Sequence, residues 1–80
     1  MGYHKKEIKK GKLGTISKVI EEIEEFIDAN EQGIKIMEHL ELSDIYGALE
    51  SLAMSYDLSM DDLQKMSNAT KNAFSSGDRQ

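Results

Sequence analysis

The absence of cysteine is the tightest constraint on how this chain folds. A chain of eighty residues buries only about 60–65% of the surface its unfolded form exposes. Domains of that size rely on disulfides, a metal, a partner subunit or very regular helix packing. With no cysteine, disulfides, thiolate zinc sites and thiol nucleophiles are all excluded. Proline is absent too, so nothing in the chain interrupts a helix. A hydrophobic fraction of 39% beside 31% charged residues fits one small soluble all-α domain rather than a disordered tail. No segment approaches the roughly 18 apolar residues of a membrane span. The basic start lacks the apolar core and cleavage site of a secretory signal, so the expected location is cytoplasmic.

Charge is unevenly spread. Residues 1–12 hold five lysines and one glutamate, whereas residues 13–80 carry a net charge of −9. Between Glu21 and Asp44 there are nine acidic residues and one basic residue, Lys35. An acidic patch that dense repels itself unless something positive sits in it. A solvated acidic helix face is the ordinary alternative.

Hydrophobic periodicity predicts three helices. Ile16, Val19, Ile20, Ile23, Phe26 and Ile27 form one stripe of a helix from about Thr15 to Asn30. Thr15 is its expected N-cap, and Gly33 its C-cap or turn residue. A second helix is expected from about Ile34 to Tyr56. The short connection makes the two an antiparallel hairpin. Ser59 and Asp62 form a capping-box pattern ahead of a third helix, with Leu63, Met66, Thr70, Ala73 and Phe74 on one face. Residues 1–14 read as a basic arm, 15–75 as the helical domain and 76–80 as a flexible tail.

The direction of the carboxylates is the most informative feature. At about 100° per residue, Lys18, Glu22 and Glu25 share one flank of the first helix, beside its apolar stripe. Glu21, Glu24 and Asp28 fall on the other flank or the back, where solvent is the ordinary explanation. On the second helix, Ile34, Met37, Ile45, Ala48 and Leu52 define the apolar face, and Glu41 and Asp44 lie within it. Unpaired buried carboxylates cost several kcal/mol each, against a net stability of only about 5–10 kcal/mol. Their partner is a protein cation, a shared proton or a metal. Lysines are scarce there, and Glu22, Glu25, Glu41 and Asp44 would face one another across the hairpin. All-oxygen coordination suits Mg²⁺, or Mn²⁺. The competing register makes Leu40, Leu42 and Leu49 the core face and leaves Glu41 and Asp44 at an exposed edge.

Glu21-Glu22-Ile23-Glu24-Glu25, followed after fifteen residues by Glu41-Leu42-Ser43-Asp44, resembles the signature of the MazG-like all-α nucleoside triphosphate pyrophosphohydrolases. That pattern is E-E-x-x-E, a spacer, then E-x-x-D, frequently with a lysine where Lys18 stands. The resemblance covers residues 15–75. Asn68 to Phe74 also looks like the short stand-alone members found in phages, for which the location would be the host cytoplasm. The resemblance implies hydrolysis of a (d)NTP to the monophosphate and pyrophosphate. It implies Mg²⁺ held by Glu22, Glu25, Glu41 and Asp44, with Glu21 and Glu22 as catalytic carboxylates acting on the attacking water. Lys18, Asn68, Lys71 and Arg79 are the expected substrate-binding residues.

Three helices this size leave apolar surface uncovered. A homodimer or homotetramer completing a four-helix bundle is therefore expected, with Leu40, Leu42, Leu49 and Ala53 as partner surface. The alternative function is a non-catalytic helical oligomer that binds a protein partner or nucleotide. Other signals are weak. His39 reads as a surface residue, no EF-hand or P-loop is present, and E-x-x-H is absent. The lysine arm is expected to be solvated rather than bound to nucleic acid, with contact to the acidic site or substrate phosphates of a neighbouring subunit as a third possibility.

Overall fold

A computed structural model describes residues 4–76. All regular structure among them is helical: α1 (Ile16–Gln32), α2 (Lys35–Met54) and α3 (Met60–Ser76). Thr15 occupies the N-cap of α1 in an extended conformation, but its side chain makes no capping bond. Its hydroxyl instead donates to the Lys12 carbonyl at 2.7 Å. Gly33 ends α1 at φ 74°. The Gly33 N–H donates to the Asn30 carbonyl and the Ile34 N–H to the Ala29 carbonyl, the Schellman pattern. The same pattern ends α2, with Asp57 at φ 60° and the Leu58 N–H donating to the Ala53 carbonyl. At the start of α3 the capping box is reciprocal. The Asp62 N–H donates to Ser59 Oγ and the Ser59 N–H to Asp62 Oδ2, each at 3.0 Å. The helix runs through Ser76, and residues 77–80 of the expected tail lie outside the described residues.

Helices α1 and α2 pack together as a hairpin, while α3 makes no comparable packing with either. Its start approaches the end of α2, where Tyr46, Leu49, Leu63 and Ser67 line a groove. The shape is correspondingly open. The radius of gyration is 15.0 Å, against about 12 Å for a compact domain of eighty residues.

The hairpin buries an unusual set of side chains. Ala29, Ala48 and Ala53 are its buried apolar residues, and Glu21, Glu22, Asp28, Glu38 and Glu41 are buried with them. Small residues let the two backbones approach closely, which draws the neighbouring acids inside. The expected apolar stripe of α1 needs correction. Ile16, Ile20, Ile23 and Ile27 are 40–59% exposed, and only Val19 and Phe26 are half-buried. The periodicity marks an apolar face, but α3 does not lie over it. On α2 Glu41 is inside, as expected, but Asp44, expected on the same buried face, is exposed, and so are Leu40, Leu42 and Leu49. Ala53, expected on the outer surface beside them, is buried.

Candidate metal centre

Glu22 and Glu25 stand one turn apart on α1, and Glu41 and Asp44 one turn apart on α2. One oxygen from each lies within 4.8 Å of one from every other. Glu41 is only 1% exposed and Glu22 6%; Asp44 is open to solvent. Among the described residues, Oε1 of Glu22 and Oε1 of Glu41 are buried and have no hydrogen-bond partner. Glu38, one turn before Glu41, also buries an unpartnered oxygen. Buried oxygens without a donor call for positive charge, either a proton shared with the neighbouring carboxyl, as Glu22 with Glu25 and Glu41 with Asp44, or a bound cation.

The electrostatics agree. Burial pushes the Glu25 carboxyl above its ordinary value, and the Glu22 charge beside it adds to the rise. Burial likewise raises Glu41, helped by Asp44. Among the described residues Lys18 is the lysine at the cluster, its Nζ 2.9 Å from Glu22 Oε2 and 3.1 Å from Glu21 Oε1. Those hydrogen bonds raise its pKa and keep it protonated. Lys18 thus neutralises one end of the cluster and leaves the Glu25–Glu41–Asp44 end without a lysine.

That end is reached by the N-terminal arm, which folds back along α1 and is not the solvated extension expected from the sequence. Gly11 N–H donates to Glu21 Oε1 at 2.8 Å, and Lys10 Nζ lies 3.6 Å from the other oxygen. Lys6 pairs with Glu31 at 2.7 Å. Lys5 N–H and Gln32 Nε2 both donate to Asp28 Oδ2, at 3.1 and 2.9 Å. His4 Nδ1 sits 2.8 Å from the same oxygen, and His4 Nε2 lies 3.3 Å from Glu41 Oε2 and 3.7 Å from Glu25 Oε1.

Glu21 and Asp28, expected on solvated faces of α1, are therefore buried beneath the arm. Burial alone would raise both carboxyls. The Gly11 and Lys18 hydrogen bonds hold Glu21 below its ordinary value, and the His4 and Lys5 hydrogen bonds do the same for Asp28. Glu21 stands outside the four-acid cluster, with its carboxylate engaged by the arm and Lys18. Asn68 and Lys71 are exposed on α3 and are not among the groups gathered at the carboxylates. Arg79 lies outside the described residues. Sequence reasoning missed His4, Asp28 and Glu38. The only available signal for His4 was the concentration of positive charge in a segment preceding an acidic helix.

The raised and depressed carboxyls act on stability with opposite signs. Glu25 and Glu41 hold protons in the folded, ion-free state that the unfolded chain releases just above the ordinary glutamate value. Their contribution is full below that value, about pH 4.3, and is lost as pH rises through the raised values. Glu21 and Asp28 contribute above the ordinary value, and that contribution is lost as pH falls through their depressed ones. The ion-free melting midpoint is therefore expected to be highest near the ordinary glutamate value and to fall on either side of it. Melting curves in chelator measure this directly, and a midpoint that climbs steadily as pH rises above the ordinary glutamate value contradicts it. Divalent ions compete with these protons, so they should stabilise most well above that value.

No protein-family model, curated protein or solved structure matches the chain. No helix among the described residues is long and apolar enough to cross a membrane.

Proposed function

We propose that the chain is a divalent-cation-dependent nucleotide pyrophosphohydrolase, splitting a (d)NTP into the monophosphate and pyrophosphate. The observation behind this reading is the four-carboxylate cluster with two buried, unpartnered oxygens. It coincides with the E-E-x-x-E and E-x-x-D pattern of the MazG-like enzymes. Glu22, Glu25, Glu41 and Asp44 would hold Mg²⁺, or Mn²⁺. The ion, when bound, offsets the triphosphate charge and lowers the pKa of an attached water. Glu22, with one oxygen on Lys18 and the other unpartnered, is the carboxylate suited to take the water proton. Glu21 orients the same region through Lys18. The water oxygen bonds to the α-phosphorus as the bond to the bridging oxygen breaks, and pyrophosphate leaves. Lys18 supplies positive charge to the phosphates; Asn68 and Lys71 on α3 are the further substrate contacts of this reading, as is Arg79, which lies outside the described residues.

In this reading the active unit is a homodimer or homotetramer. The exposed row Ile16, Ile20, Ile23 and Ile27, together with Leu40, Leu42, Met66 and Phe74, supplies apolar surface for a second copy. A four-helix bundle would cover that surface and bring another α3 towards the carboxylates. The same surface favours the second reading, a non-catalytic helical oligomer that binds a protein partner.

Incubation of the purified chain with the eight common (d)NTPs in Mg²⁺ or Mn²⁺ separates the two. Monophosphate and pyrophosphate are expected in equal amounts, with none in chelator. Absence of pyrophosphate with every nucleotide would sink the enzymatic reading.

A further inference from the structure

The geometry points to His4 as a further ligand of the carboxylate centre, making it a mixed nitrogen–oxygen site that binds a first-row transition ion more tightly than Mg²⁺. This inference rests on the cation-site reading above and specifies which ion the site takes.

Three observations carry it. The first is spacing. His4 Nε2 lies 3.3 Å from Glu41 Oε2 and 3.7 Å from Glu25 Oε1, and His4, Glu25 and Glu41 each offer an atom within 4.8 Å of the others. Neighbouring ligands bound at about 2.1 Å to one ion stand about 3 Å apart in octahedral and about 3.4 Å apart in tetrahedral geometry. The ring nitrogen is thus already close to the separation that coordination demands.

The second is orientation. An ionised carboxylate only accepts hydrogen bonds, so at 2.8 Å from Asp28 Oδ2 the Nδ1 atom is the donor. Nε2 lies against Glu41 Oε2 and Glu25 Oε1, as it would beside an ion held by all three groups. A carboxylate on one ring nitrogen with a metal on the other is how ligating histidines are usually held. Asp28 is itself fixed, being 2% exposed and bonded by the Lys5 N–H and the Gln32 amide.

The third is the unmet demand for charge. Among the described residues, Oε1 of Glu22 and Oε1 of Glu41 remain buried without a hydrogen-bond donor even with His4 in place. His4 therefore does not complete the site by itself, and room for an ion's charge remains. The arm is anchored at Lys6, Lys10 and Gly11 as well, so the position of His4 does not depend on its own contacts alone. Imidazole nitrogen favours ions late in the first-row series, with Zn²⁺ and Co²⁺ well above Mn²⁺, whereas Mg²⁺ prefers oxygen throughout.

Calorimetric titration of the metal-free chain with Zn²⁺ and with Mg²⁺, in wild type and in His4→Gln, is the test. Glutamine keeps hydrogen-bonding capacity at this position but offers no ring nitrogen. Zn²⁺ is expected to bind wild type at least about 100-fold more tightly than Mg²⁺. His4→Gln should weaken Zn²⁺ by about 100-fold and change Mg²⁺ less than about 3-fold, and Asp28→Asn should weaken Zn²⁺ by about 10-fold. In ¹⁵N spectra of wild type, saturation with Zn²⁺ should shift the Nε2 signal of His4 and leave His39 in place. This arm needs no variant to fold.

An unmoved His4 signal overturns the proposal. So does a His4→Gln variant that binds both ions as wild type does, which would make the ring a counter-charge only, or one that loses both equally. In each of those cases wild type still binds an ion, and the cation site stands. A wild type that binds neither ion overturns both.

Discussion

Replacing Glu41 with glutamine is expected to raise the melting midpoint of the ion-free protein and to remove its response to divalent ions. The two effects have one cause. Glu41 is 1% exposed, with one oxygen unpartnered, and burial and Asp44 both push its carboxyl towards the neutral form. Without an ion it therefore costs stability at neutral pH. An amide carries no charge to desolvate, so Glu41→Gln should gain about 1 kcal/mol, read as roughly 4–8 °C for a domain this size. In wild type, an ion at 100 times its dissociation constant adds about 2.7 kcal/mol, a rise of about 10–20 °C. Glu41→Gln should lose that rise and, with it, about 10³-fold in the rate of pyrophosphate release, the equivalent of several kcal/mol of transition-state stabilisation. Glu24, exposed on α1, is the control, and Glu24→Gln should change neither quantity. A Glu41→Gln protein that melts lower without ions and still responds to them would show that Glu41 is a structural group.

Different parts of the fold left very different marks in the sequence. Helix ends are set by local chemistry, so Gly33, Ser59 and Asp62 fulfil the roles their spacing predicts. The gathering of Glu22, Glu25, Glu41 and Asp44 was legible because each pair sits at i, i+3 and the hairpin loop is too short for another arrangement. The fate of the isoleucine stripe was not. Periodicity shows that a face is apolar, and what covers that face depends on α3, whose direction is set by the turn around Asp57. Least legible was the arm. It is bound by the backbone N–H groups of Lys5 and Gly11, which every residue but proline possesses and no sequence pattern records. Glu21 and Asp28 were therefore assigned to solvent by the helical wheel, which sees only the helix that carries them.

Gly11 is the residue on which the arm's position turns, and two identical substitutions expose it. A Cβ added at Gly11 would collide with the backbone of Ser17 and Lys18 at the start of α1. Neither group is a flexible side chain, so the arm must move. Movement breaks the Gly11 N–H bond to Glu21 and leaves that buried carboxylate to Lys18 alone. A hydrogen bond to a charged group is worth about 1.5–3 kcal/mol. Gly11→Ala should therefore lower the melting midpoint by about 8–16 °C if about 2 kcal/mol is lost. It should also open the lysines of the arm to trypsin. Gly47 is the matched comparison. It lies inside α2, and a Cβ there meets nothing. Gly47→Ala removes the helix penalty of glycine, so it should raise the midpoint by the equivalent of about 1 kcal/mol without changing cleavage of the arm. The same chemical change thus carries opposite signs thirty-six positions apart. A Gly11→Ala protein that melts and resists trypsin like wild type would mean that the arm does not hold its place on α1, and His4 would then lose its route to Glu25 and Glu41.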